Sequence, residues 1–99
     1  MAQVLPVNLL EQYKNSIGDS QKVNNPLDDY YKNFLSQAYE FVLGHDISAE
    51  NASSENGKAC VILIAQDLQK NLDFTQNRAV LNYLQLLNAK TRGDSYVEE

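Results

Sequence analysis

The chain has 99 residues, 43% of them hydrophobic, with 13 acids against 8 bases and a net charge of −5. That length matches one domain, and the hydrophobic share makes it globular rather than disordered. The acidic balance argues against a nucleic-acid binder and against docking on an anionic membrane, and a single cysteine, Cys60, excludes an internal disulfide.

The first twenty residues lack a basic n-region and a continuous apolar h-region, so no signal peptide is expected, and the sequon Asn51-Ala52-Ser53 is then a chance match. Val4-Leu5-Pro6-Val7 reads as an extended arm, because the residue before a proline disfavours the α region. Leu9, Leu10, Tyr13 and Ile17 recur at helical spacing and predict a helix over about Asn8 to Ile17, closed by Gly18.

A polar linker, Asp19 to Asn24, leads to the best helix start in the chain, Asn25-Pro26-Leu27-Asp28-Asp29. Asn25 can cap, Pro26 suits the first helical position, and the two aspartates favour the positive end of the helix dipole. This second helix runs to about Leu43 and ends at Gly44. Its core-facing stripe is Leu27, Tyr31, Phe34, Leu35, Ala38 and Val42, with Asp28 and Lys32 paired on the outside. Tyr30 and Tyr31 point about 100° apart, so Tyr30 falls on a flank with its ring against a neighbour.

His45 to Asn56 reads as a long polar loop, a length that often marks a contact or mobile segment. Ser53 or Ser54 caps the third helix, which runs to about Leu72. Ala59 to Ala65 within it has no polar side chain and belongs at the centre of a core; it is far shorter than the roughly 20 apolar residues that span a bilayer. Val61 to Ile64 has strand-like composition, but the apolar pattern continues through Leu68 and Leu72 without a turn residue, which decides for helix. Asp73 to Gln76 is a break with two candidate caps, Asp73 and Thr75. The fourth helix covers about Gln76 to Thr91, with the stripe Ala79, Val80, Tyr83, Leu84 and Leu87, Lys90 and Arg92 near its end, and Gly93 as terminator. An acidic tail, Asp94 to Glu99, follows. The expected fold is all-α: one domain, a small bundle of about four helices with a long loop between helices 2 and 3 and flexible termini (arm 1–7, tail 93–99).

No constellation for catalysis emerges. Cys60 sits in the apolar run and reads as a small buried hydrophobe. His45 is the sole histidine and follows a helix-ending glycine, a place where a cation would suit the negative end of the helix dipole. Zinc or calcium spacings, phosphate loops and nucleophile elbows are missing from the sequence, so no catalytic, metal or cofactor residue is assigned and no cofactor is expected. Gly18-Asp19-Ser20 compares poorly with the carrier serine of acyl carrier proteins, since Gln21-Lys22-Val23-Asn24 follows and opens no helix. Tyr30, Phe41 and Leu86 lie off the main stripes, and such apolar positions on a small domain point to an oligomer.

The order of parts resembles the head-to-tail connector (adaptor) proteins of long-tailed bacteriophages. Those parts are Leu9 to Gly18, then Leu27-Asp28-Asp29-Tyr30-Tyr31 to Phe41, then the loop His45 to Asn56, the very apolar Ala59 to Leu72, and Ala79 to Arg92. Phe74 and Asn77-Arg78 follow the third helix a few residues later than that family's aromatic, Asn and Arg, and the glycine-containing loop before the last helix is missing. The resemblance implies a structural virion protein: a ring, usually dodecameric, beneath the portal, extending the DNA channel and docking a stopper or tail-completion protein. It implies assembly in the host cytoplasm, DNA that passes without specific binding, and no membrane. The contacts it implies for the portal or neighbours fall at Val4, Leu5, Val7, Tyr30, Phe41, Asp46, Glu50, Glu55, Asp94, Tyr96 and Val97. An acidic channel wall would repel phosphate and let DNA slide. The alternative is a small acidic helical regulator that binds and inhibits a protein partner.

Overall fold

The computed structural model describes residues 5–6, 8–18 and 27–93. They form an all-helical bundle of α1 (Leu9–Ser16), α2 (Asp28–Leu43), α3 (Ala49–Ala52), α4 (Glu55–Gln69) and α5 (Arg78–Thr91), with a 3₁₀ turn at Phe74–Gln76. No strand occurs among the described residues. The capping expected from Asn25 and Pro26, the arm residues 1–4 and 7, and the tail 94–99 lie outside them.

α4 is the axis of the bundle. α2 and α5 both pack chiefly on it, while α1 and α3 make smaller contacts with it. Cys60, Val61, Ile64 and Ala65 of α4 are fully buried, as the apolar run predicts, and Ile62, Leu63 and Leu68 are half-buried against the same core. α2 contributes Tyr31, Leu35, Ala38, Tyr39 and Val42; α5 contributes Val80, Leu84 and Leu87; α1 contributes Leu9 and Tyr13. Burial of this apolar surface is the main force holding the helices together, each fully buried aliphatic side chain contributing about 1.5–3 kcal/mol.

Four stripe assignments change. Leu27 is 49% exposed rather than in the core, and Tyr39 takes a core position. On α5, Ala79 is exposed and Tyr83 only half-buried, so the buried stripe is narrower than the sequence spacing indicates. Tyr31 is buried and Tyr30 is 47% exposed, its ring edge-on to Phe34 at 4.9 Å.

The helix ends follow local chemistry. Ser54 caps α4, its hydroxyl oxygen accepting from the Gly57 amide at 3.1 Å. α4 stops at Gln69, earlier than Leu72, because Asn71 adopts φ +60 and the Leu72 amide turns back to the Asp67 carbonyl at 2.8 Å, the closure that satisfies a helix's last carbonyls. The cap of α5 is Asn77, accepting from the Ala79 amide, while Asp73 caps the 3₁₀ turn; Thr75 caps neither. Gly18 is left-handed at φ +83 after α1, as predicted, but Gly44 after α2 is right-handed at φ −68 and the left-handed residue is Asp46, at φ +62.

The segment His45 to Asn56 is not a continuous loop. It holds α3, capped by Ser48, and the first turn of α4. Thr91 of α5 anchors it: its hydroxyl accepts from the Ser48 amide at 3.0 Å and from the Asn51 side chain at 2.8 Å. Tyr39 reaches Ser53 at 3.2 Å, which ties α3 to α2 as well. Gly57 lets α4 start directly beneath α3, because a Cβ there would sit 2.3 Å from the carbonyl oxygens of Asn51 and Ala52.

The expected external pair of Asp28 with Lys32 is replaced by a buried one. Asp28 turns inward and meets Lys14 of α1 at 2.9 Å. The exposed helix pair it displaces is worth only a few tenths of a kcal/mol.

Candidate functional site

Among the described residues no three His, Cys, Asp or Glu side chains come together. Cys60 is fully buried, and burial pushes its thiol up to about 12, far from the thiolate that acts as a nucleophile. His45 lies at the C-terminal end of α2, exposed, with Nδ1 2.9 Å from the Phe41 carbonyl oxygen and its ring against Phe41 at 4.5 Å. No described helix is long and apolar enough to cross a membrane.

Two apolar surface patches form the candidate site. α5 turns Val80, Leu84 and Leu87 inward. Along its outer side Ala79, Asn82, Tyr83 and Leu86 line an open hollow of about 290 Å³. Their spacing of i, i+3, i+4 and i+7 is that of one helix face. Arg78 and Lys90, both exposed, stand near the two ends of this stripe. Leu81 is a further exposed apolar side chain on α5, at 48%. A second patch lies at the start of α2, where Leu27 and Tyr30 are exposed one turn apart with Asp29 between them in sequence.

The residues expected as contacts divide as follows. Val4, Val7, Asp94, Tyr96 and Val97 lie outside the described residues. Leu5 is half-buried and packs on the core edge. Tyr30 stands in the α2 patch. Phe41 is half-buried and stacks edge-on with Phe74 at 4.8 Å, closing the side of the bundle over the 3₁₀ turn. Asp46, Glu50 and Glu55 are all exposed at one end of the molecule, where α3 meets the end of α5, and Glu55 pairs with Lys58 at 3.4 Å. The α5 stripe was legible only in part: Leu86 stands off the core spacing, but Ala79 and Tyr83 read as core. A missed signal is that residues 74–93 contain no acid at all in a chain holding 13.

No family model, curated protein or solved structure matches this chain.

Proposed function

We propose that the chain is a structural subunit of a phage head-tail connector, an adaptor that assembles as a ring beneath the portal and extends the DNA channel toward the stopper or tail. The observation that carries this reading is the division of labour among the helices. α4 is almost enclosed, yet α2 and α5, which pack on it, each keep apolar side chains on their outer sides, and apolar patches of this kind mark interaction surfaces. The order of elements supports it: a short helix, an Asp-rich helix start, a long aromatic helix, the segment around α3, a very apolar helix and a short last helix. In this reading the protein binds no cofactor and performs no catalysis. Its net charge of −5 per copy gives a dodecamer roughly −60, which keeps sliding DNA from adhering.

A second reading is a small acidic regulator that covers a basic protein surface. The exposed acids Asp46, Glu50 and Glu55 at one end favour it.

Co-sedimentation separates the two. The purified chain, mixed with assembled portal rings encoded in the same genome, pellets with them in a connector. A chain that stays in the supernatant at every concentration contradicts the connector reading.

A further inference from the structure

We infer that the outer face of α5 docks on the start of α2 in a second copy of this chain, head to tail. The inference builds on the ring reading above and names the two surfaces that meet in it.

α5 is amphipathic twice over. One stripe is buried on α4. The neighbouring one, Ala79, Tyr83 and Leu86 with Asn82, opens into the hollow of about 290 Å³. Charge indicates what covers it. Residues 74–93 hold Arg78, Lys90 and Arg92 and no acid, so all 13 acids and the other five bases lie elsewhere in the chain. With Arg78 and Lys90 near the ends of an apolar stripe, the complementary surface is apolar and acidic.

A second α5 is not that surface. Antiparallel pairing of two α5 helices sets each Arg78 beside the other's Lys90, and parallel pairing sets like residue against like. Both arrangements place cation against cation, and such juxtapositions are costly. The start of α2 has the required character. Leu27 and Tyr30 are 49% and 47% exposed, one turn apart, and the exposed Asp29 stands on the same first turn, next to Tyr30 in sequence. Tyr30 is held in place against Phe34, so little side-chain freedom is lost on docking. Leu72 beside Asp73 is the other apolar and acidic pair, but it offers one large side chain on a turn where α2 offers two on a helix.

α2 and α5 both pack on α4 and scarcely touch each other among the described residues. One copy can therefore use both patches at once. A contact between two different patches is heterologous and repeats from copy to copy, closing as a ring or continuing as a filament.

Sedimentation velocity over a concentration series tests this on the full chain. Wild type is expected to grow in mass with concentration. Leu86→Glu and Tyr30→Lys should each weaken association at least tenfold with an unchanged helical circular dichroism spectrum. Should Leu86→Glu fail to fold, Lys90→Glu, at an exposed position, replaces it. A one-to-one mixture of the α5 and α2 variants should stop at a dimer, because each retains one intact surface. The double variant Lys90→Glu with Asp29→Lys should regain association. A wild type that stays monomeric, variants that associate like wild type, or a mixture that remains monomeric overturns the inference. Co-sedimentation with portal decides the ring reading separately: portal binding that survives Lys90→Glu and Tyr30→Lys unchanged leaves that reading standing and removes this one.

Discussion

Lys14 of α1 and Asp28 at the start of α2 form an ion pair of 2.9 Å whose side chains are only 6% and 9% exposed. The pair fastens α1, the helix with the least contact to the rest, across the segment 19–26. Tyr13 adds to the attachment, its hydroxyl donating to Gln69 while its ring meets Tyr31 edge-on at 5.5 Å.

Removing the cation alone leaves a buried carboxylate without its counter-charge. Lys14→Met is expected to cost about 3 kcal/mol, and Lys14→Met with Asp28→Leu to recover most of that loss, because a buried pair gains little over apolar packing while a half-pair is penalised. Urea unfolding of the two variants checks it. Equal stability of the single and double variants would show that the pair is not the fastening.

Gly57 carries a steric rule rather than a conformational one. Gly57→Ala improves intrinsic helix propensity by about 1 kcal/mol, yet its Cβ would meet two backbone oxygens at 2.3 Å. Backbone cannot yield as a flexible side chain does, so net destabilisation of about 2 kcal/mol is expected. Thermal melting reads this directly; an alanine variant as stable as wild type means that α3 does not sit over the start of α4.

Ile62 and Ile64 separate the two sides of α4. Ile64 is fully buried and Ile62 half-buried. Ile64→Asp places an unpaired charge in the core and should prevent folding. Ile62→Asp can turn its carboxylate toward water and should remain folded with a lowered melting temperature. Circular dichroism of both proteins distinguishes them, and a cooperative, wild-type melt from Ile64→Asp would remove α4 from the centre of the bundle.

Alkaline stability follows from two buried groups. Burial raises the Cys60 thiol from 9.0 to about 12. Burial, with Tyr31 and Tyr30 nearby, raises the Tyr13 hydroxyl from 10.0 to about 12. Each group is neutral when protonated, and the folded chain keeps those protons longer than the unfolded one. Their contribution is therefore fully present below about pH 9 and is lost as pH climbs toward 12. In urea titrations, Cys60→Ala should begin less stable, through the cavity it leaves, and then lose stability less steeply above pH 9 than wild type. Parallel pH profiles would contradict the assignment.

What the sequence disclosed and what it hid divide along physical lines. Local signals read well: the apolar run Ala59 to Ala65 became the buried axis, Ser54 the cap of α4, and Gly18 a left-handed end. Tertiary choices did not. Asp28 has a partner within its own helix and another fourteen residues away, and only packing reveals that the distant one wins. α3 is too short for periodicity to register, and it is held by Thr91, forty residues downstream of Asn51. Asp46, rather than Gly44, is the left-handed residue after α2, and Asn71 takes a left-handed turn where the sequence holds no glycine. The outer stripe of α5 blurred into the core stripe because Ala79 and Tyr83 flank both.

Negative-stain images of the purified chain mixed with its own genome's portal test the connector reading most directly. The account predicts a closed annulus of added density at one pole of the portal, lost when the outer face of α5 carries Lys90→Glu. Portal particles identical with and without the chain would contradict it.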